Sequence, residues 1–499
     1  MNMAAPYYVT KQRKGSPKIV LIGAGSAQFT FLTVCDITRS FALGGSELIL
    51  VDIEEEKLGM VTDLAMRLNE KFKAELKIKK TTDRRQALEG ADFVISAVEV
   101  DRMNRWKMDC EIPLKHGIKQ VVGECGGPGG ISHSLRVIPM VVEICEDIQK
   151  LCPDALFINY TNPMVRVCYA VEHYTDVNFI GLCCGFDGHL MALAGFLAYP
   201  EGLRGRAAGL NHFSWIKELQ FKSGGDAYPV LKEKMLKVKD YFQPVCKEMY
   251  HRFGLYGSPS DGHIAEFISD GYDICHPEER GYNWIKPYFA MVDMEEAALF
   301  MFRGEFSSQE KIRWFSDQLE KGRIPGLMGS VLTVLSHSNY FKPFYPTLRK
   351  AASLAAKGDF SFFKKLLRLV SSYKEGRAVE LIDALLSTDK EPLELMVNVS
   401  NQGRYVSNLP QNAVVEVPAL ISNGKIQPLD MKDLPGGAAT LCETQIEIAK
   451  INAEAALSGS RQLALQAMLL DPIVDSHDIA EKVLDELLWT HADLLPRFN

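Results

Sequence analysis

The chain has no excess of either charge large enough to point to a polyanionic partner. Lys and Arg number 56 and Asp and Glu 63, a net charge of -7 over 499 residues. Nothing in that balance provides a basic footprint for nucleic acid or an attraction to anionic lipid, so neither partner is expected. No stretch of about 18 uncharged apolar residues occurs, so no membrane span is expected. Internal repeats and low-complexity tracts are absent. Residues 1–17 lack the apolar segment of a signal peptide. The 11 cysteines are odd in number and scattered from Cys35 to Cys442. They form no short-range disulfide framework, and a reducing, cytoplasmic setting is expected. With 47% hydrophobic and 24% charged residues, the composition is that of a globular chain. At this length a large core forms without disulfide or metal staples.

What is present is an alternation. KIVLI at 18–22 is a short apolar, β-branched run that stops at Gly23, and ELILV at 47–51 is a second one closed by Asp52. Between them, residues 29–40 are helical in pattern. Residues 54–72 place Leu58, Val61, Leu64, Ala65 and Leu68 at helical spacing. Further strands are expected at 76–81, 91–98, 155–160 and 178–184, with a helix at 135–151. Strands separated by helices of this length give an α/β fold with a Rossmann-like, doubly wound parallel sheet. Beyond about residue 200 the pattern becomes mixed: a mostly helical stretch at 292–386, strand-like pieces at 395–399 and 413–417, and helix from 440 to 491 broken near Pro472. The expected division is a nucleotide-binding domain over 1–200 and a larger α+β catalytic domain over 201–499, packed together for want of a flexible linker.

The residues Gly23, Ala24, Gly25, Ser26, Ala27 and Gln28 follow the first strand and precede a helix. The first glycine permits a tight turn, and the second lets a pyrophosphate approach backbone N–H groups at a helix N-terminus. Gln28 stands where a third small residue is usual. Asp52 lies 29 residues after Gly23, where a carboxylate binds a ribose diol and favours NAD over NADP.

Several polar clusters sit near expected strand ends. Cys183 and Cys184 close the 178–184 strand, and His212 follows 29 residues after Cys183. A thiolate and an imidazole from two segments could share a divalent cation; equally, the cysteine could be a small core residue. The segment Asn159–Pro163 reads as a ligand-facing loop or as an Asn-capped turn. Residues 126–130, GGPGG, read as a binding loop or a flexible connection before a helix, with Glu124 beside them. Tyr256, Asp261, His263 and Glu266 concentrate polar groups; Asp261 or Tyr256 could act as a general base, or the Asp-Gly pair could be a surface turn. Asn398, Asn401 and Asn408 could meet sugar hydroxyls or cap turns.

These segments, in this order, resemble glycoside hydrolase family 4, the NAD- and metal-dependent glycosidases. The resemblance is carried by KIVLIGAGSAQFT at 18–30, LILVDI at 48–53, ADFVISAVEV at 91–100, EIPLKHGI at 111–118 and GGPGGISHSLRVIP at 126–139. It continues through NYTNPM at 159–164, GLCC at 181–184, GLNHFSW at 209–215 and NVSNQGRYVSNLPQNAVVEVP at 398–418. It implies that Cys183 and His212 bind a divalent metal, Mn(II), and that Asn162 contacts substrate near the cofactor. It also implies substrate contacts for Arg105, Asp109, His263 and Asn398, and a catalytic role for Asp261, with Glu124 and Tyr256 as further candidates.

The chemistry implied is an oxidation–elimination. NAD takes a hydride from C3 of the sugar, the ion stabilises the enediolate formed when a base removes the C2 proton, and the C1 substituent leaves. Water then adds and the hydride returns, so no net redox occurs; this class lies outside the two-carboxylate scheme of other glycosidases. The resemblance implies a small soluble α-glycoside as substrate and a homodimer or homotetramer. The alternatives are a 6-phospho-glycosidase of the same family, left open by Arg102 and Arg105, and a metal-independent NAD-dependent dehydrogenase. Cys184 departs from the family at the position after the metal cysteine, where other members carry His or Asn.

Overall fold

The structure is a computed structural model that describes residues 7–498, apart from 11–14, 41, 239–240, 276–376 and 389–390. The described strands are β1 (Tyr8–Val9), β2 (Lys18–Ile22), β3 (Glu47–Val51), β4 (Lys77–Thr81), β5 (Phe93–Ser96), β6 (Leu156–Asn159) and β7 (Asn178–Gly181). They continue as β8 (Leu203–Leu210), β9 (Phe213–Phe221), β10 (Tyr256–Ser258), β11 (Leu393–Ser400), β12 (Val414–Ser422) and β13 (Lys425–Pro428). All belong to one sheet ordered β10-β9-β8-β12-β11-β7-β6-β5-β2-β3-β4, with β13 joining β12 and β1 joining β13.

The half β4-β3-β2-β5-β6-β7 is parallel throughout. Counted from β2, this is the doubly wound order that reverses between β2 and β5 and opens a ligand crevice at the carboxyl ends of the strands. Burial on both faces explains the unbroken apolar runs. Ile19 and Leu21 enter one core cluster, Val20 and Ile22 another. The outermost strand, β4, reads KIKKT and is largely exposed, a lysine-rich edge that resists further pairing. From β7 the sheet turns antiparallel: Asn398 of β11 faces Gly181, and Glu416 of β12 faces Gly209 of β8.

The helix expected at 135–151 begins earlier, at Gly127, and runs to Leu151. Residues 126–130 are therefore not a flexible connection. Gly127 adopts φ +65°, and a Cβ on Gly129 or Gly130 would lie 2.6 Å from Gly123 O or 2.4 Å from Cys125 C. These glycines let a buried first turn press on the preceding loop. Of the stretch expected to be mostly helical at 292–386, residues 292–376 lie outside the described residues; the end forms the helix Ala378–Leu386. The C-terminal helices are Gly436–Ser458, Arg461–Leu470 and His477–Thr490, broken at Asp471-Pro472 as the proline requires. Among the described residues no helix is long and apolar enough to cross a membrane.

One buried histidine makes stability depend on pH. His189, on the helix Gly185–Phe196, has Nδ1 3.1 Å from Ser258 Oγ and Nε2 2.8 Å from Gln243 Oε1. Burial pulls its pKa from 6.5 down to about 3. Between those values the unfolded chain binds this proton and the folded chain does not, so stability falls as pH falls through that window. From pH 7 to pH 5 the Tm of the natural chain is expected to fall more steeply than that of His189→Gln. Equal slopes would mean that the folded chain protonates this imidazole.

Candidate active site

The glycine loop and Asp52 form one unit. The N–H groups of Gly23 and Ala24 both donate to Val51 O at 3.0 Å. Gly23 has φ +87°, and a Cβ there would lie 2.3 Å from Ala97 O. Gly25 N–H donates to Asp52 Oδ2 at 2.6 Å, and Glu54 N–H to Asp52 Oδ1 at 2.9 Å. Ser26 caps the helix Ala27–Arg39 by accepting from Phe29 N–H at 3.3 Å; Ala27 and Gln28 are its first two residues. A glycine-containing backbone cradle, a helix N-terminus and a carboxylate at the end of β3 are the parts a dinucleotide needs.

Across the crevice, Cys183 follows the end of β7 and His212 sits in the two-residue turn between β8 and β9. The fold brings Cys183 Sγ to 3.4 Å from His212 Nε2. His212 is 4% exposed, and its Nδ1 has no hydrogen-bond partner. Its φ of +63° lies in the left-handed region, a strained conformation for a β-carbon residue that a well-packed site must hold in place. Burial, then the neighbouring His263 and Arg102, pulls its pKa well below 6.5. The ring is therefore neutral and can donate a lone pair to a metal. The Cys184 thiol, then burial, pushes the Cys183 thiol well above its usual range, so ion binding must displace that proton. Carboxylate, thiol and imidazole ligand atoms of Glu124, Cys125 and His212 lie within 4.8 Å of one another. An S, N and O donor set of this kind suits a divalent transition ion.

Glu124 is supported on every side. Its carboxylate pairs with Arg102, which also reaches Glu99 at 3.3 Å. Its carbonyl lies 3.0 Å from His133 Nδ1, and His133 Nε2 lies 3.0 Å from Glu99 Oε1. Burial alone would raise Glu99, but His133 and Arg102 outweigh it and hold its carboxyl below the usual range.

The remaining expected residues divide into two groups. Near the pair stand His263, whose ring centroid is 4.1 Å from that of His212, and Asn398, whose Nδ2 lies 3.5 Å from Gly181 O beside the end of β7. Asn162 occupies the loop after β6, with Thr161 tied to Val98 N–H at 3.0 Å. The other group is engaged in further contacts. Asp261 is 2% exposed in the short helix Asp261–Ala265, so the segment is not a surface turn, and its Oδ1 accepts Cys246 N–H at 2.9 Å. That N–H belongs to the first turn of the helix Pro244–Phe253, which needs an acceptor. Tyr256 is fully buried, its hydroxyl 2.7 Å from Tyr241 Oη and 3.0 Å from Gln243 Oε1. Arg105 forks onto Asp493 at 3.0 and 2.6 Å, and Asp109 pairs with Arg136 and His491 in the interior.

Two buried carboxylates support the site: Glu416, which the sequence reading does not single out, and Glu266, which it places in a polar cluster without a role. Glu416 accepts Asn211 Nδ2 at 2.9 Å and Ser214 Oγ at 3.3 Å, gripping both sides of the turn that carries His212. Burial pushes it up to about 7. Glu266 accepts three backbone N–H groups, from Glu124, Cys125 and Gly126. The signal for Glu416 is a lone acid inside an apolar run, VVEVP.

The fold and site define a Rossmann-type α/β protein whose glycine loop and metal-capable Cys183, paired with His212, both follow parallel strands of one sheet at their carboxyl ends. Models of the family 4 glycosyl hydrolase and of its C-terminal domain match residues 18–198 and 207–474. The chain therefore belongs to family 4 of the glycosyl hydrolases. It is 34% identical to an alpha-glucosidase of Erwinia rhapontici over 479 residues, covering 94% of this chain and 97% of that one. It is 29% identical to an alpha-galactosidase of Bacillus subtilis, covering 97% and 100%. A 6-phospho-alpha-glucosidase from gut microorganisms, solved in complex with NAD and Mn2+, shares the fold with a TM-score of 0.64 at 17% identity, covering 96% and 99%.

Proposed function

We propose that this chain hydrolyses a small, unphosphorylated α-glycoside with the help of NAD and a divalent ion, Mn(II). The observation that carries the reading is the 3.4 Å approach of Cys183 Sγ to the neutral His212 ring, across the crevice from a backbone cradle closed by Asp52. When bound, the dinucleotide supplies a reversible hydride acceptor and the ion a Lewis acid. Cys183 and His212 hold the ion. Asp52 accepts hydrogen bonds from the ribose diol, and its charge disfavours a 2′-phosphate. Asn162, His263 and Asn398 line the sugar site. Of the groups expected to handle the C2 proton, Glu124 is the carboxylate that clusters with Cys125 and the shared His212, and we assign the transfer to it. Asp261 and Tyr256 then serve the walls, one capping a helix and the other filling the core.

Arg102 and Arg105, the two cations the sequence leaves open for a sugar phosphate, are engaged by Glu99 and Glu124 and by Asp101 and Asp493. That favours the unphosphorylated substrate. The names of the two relatives favour the α-anomer.

A panel of p-nitrophenyl α- and β-glycosides, uronides and 6-phosphates tests the reading, with NAD, Mn(II) and reductant each omitted in turn. Cleavage of an α-glycoside that needs all three, leaves no net NADH and incorporates solvent deuterium at C2 is expected. Stoichiometric NADH without cleavage, indifferent to Mn(II), would instead identify a dehydrogenase.

A further inference from the structure

We propose that Glu266 is a positioning residue for this reaction: a buried carboxylate that fixes the loop carrying Glu124 by its backbone. The inference rests on the reading above, in which Glu124 acts beside the ion. Glu266 follows the helix Asp261–Ala265 and is 1% exposed. Its Oε1 accepts Glu124 N–H at 2.9 Å, while its Oε2 accepts Cys125 N–H at 3.1 Å and Gly126 N–H at 3.0 Å. Three consecutive N–H groups converging on one point form a concave anion seat. Here the chain fills the seat with its own side chain.

The loop lies directly on this residue. A Cβ on Gly126 would fall 2.4 Å from Glu266 O, so Gly126 permits a contact that any other residue would prevent. On the opposite side, the Glu124 carbonyl lies 3.0 Å from His133 Nδ1. The N–H and C=O of Glu124 are thus both fixed, and its side chain meets Arg102. Both oxygens of Glu266 are occupied by the loop, so Glu266 acts through Glu124 rather than on substrate. Burying a carboxylate is costly unless it is well hydrogen-bonded. An apolar residue would cover the loop at lower cost but could not order three donors. Supporting partners of this kind typically change metal affinity or activity by about 10–100-fold when removed.

The test is Glu266→Gln in the full chain. The amide turns an N–H donor toward the loop, where acceptors are needed. Hydrogen exchange of the amides at 124–126 is expected to accelerate by about tenfold or more. The Mn(II) Kd, read from free Mn(II) by electron paramagnetic resonance, is expected to rise and kcat to fall, each by about 10–100-fold. NAD affinity stays unchanged, because the loop at 23–26 is separate. A merely structural role would lower Tm and the yield of NAD-competent protein while leaving Mn(II) Kd and kcat per competent site as in the natural chain; that result overturns the proposal. If Glu266→Gln does not fold, Glu266→Asp keeps the acceptors one methylene short. A smaller shift of Mn(II) Kd in the same direction is then expected, and no shift overturns the proposal. Should the natural chain cleave no glycoside, the functional reading fails by itself, and exchange at 124–126 still decides whether Glu266 holds the loop.

Discussion

Replacing Cys183 by serine is expected to cut glycoside turnover by roughly a thousandfold, well beyond the ~10–100-fold that loss of an outer partner of a metal costs. The thiolate is the nucleophilic, metal-binding form of cysteine, and a serine hydroxyl near pH 7 remains protonated and binds the ion poorly. The fold should tolerate the change. Cys183 Sγ accepts Gly185 N–H at 3.3 Å and faces His212 Nε2 at 3.4 Å, and a hydroxyl can take up both contacts. The loss should therefore appear in Mn(II) affinity and kcat, with NAD affinity and Tm nearly unchanged. Cys184→Ser is the internal comparison. Cys184 precedes the helix Gly185–Phe196 and shares the local environment, yet no ligand role falls to it. A change of only a few-fold is expected there. Equal losses in the two variants would mean that the thiol pair acts as a unit, and full activity in Cys183→Ser would remove the ion from this position.

The parallel half of the sheet was legible because its strands are buried on both faces. KIVLI and ELILV leave few other places to put so many β-branched residues, and an acid at the end of the second strand marks the crevice. The helix start at Gly127 was missed because glycine ordinarily signals a turn. Only the close approach to Gly123 and Cys125 shows why glycine is needed inside a helix. The antiparallel half is legible only in part: the strand pieces at 395–399 and 413–417 fall on β11 and β12, but their place in the sheet is not. It depends on the pairing of Asn398 with Gly181 and of Glu416 with Gly209, contacts more than 200 residues apart in the chain. Local periodicity carries no record of such a contact. The same distance hides the supporting carboxylates. Glu266 lies 142 residues from Glu124, and nothing in HIAEF says which backbone it will hold. Asp261 shows a signal that local sequence leaves incomplete. A polar cluster next to glycine suggests chemistry, and the folded chain adds a contact the cluster does not announce: one oxygen of that carboxylate accepts an N–H at the end of a helix.

A methyl group on Gly25 is expected to weaken NAD binding by about a hundredfold. The backbone itself could accept alanine, since Gly25 is not in the left-handed region. The obstacle is contact: the added Cβ would lie 2.8 Å from Asp52 Cγ and 2.8 Å from its Oδ2. Asp52 is also the acceptor for Gly25 N–H at 2.6 Å, so it cannot move aside and keep that bond. Turning the carboxylate away removes the acceptor for the ribose diol. Two hydrogen bonds to a charged group at about 1.5 kcal/mol each amount to about 3 kcal/mol, or a hundredfold in Kd. Calorimetry with NAD measures the loss, and Mn(II) affinity in the same variant should be unchanged. Gly90→Ala separates backbone strain from contact. Gly90 has φ +69° with nothing within 4 Å of an added Cβ, so that variant should lose stability while keeping NAD affinity. If Gly25→Ala binds NAD within threefold of the natural chain, Asp52 yields without consequence and is not the ribose partner. The selectivity for NAD would then have to come from other groups around the loop.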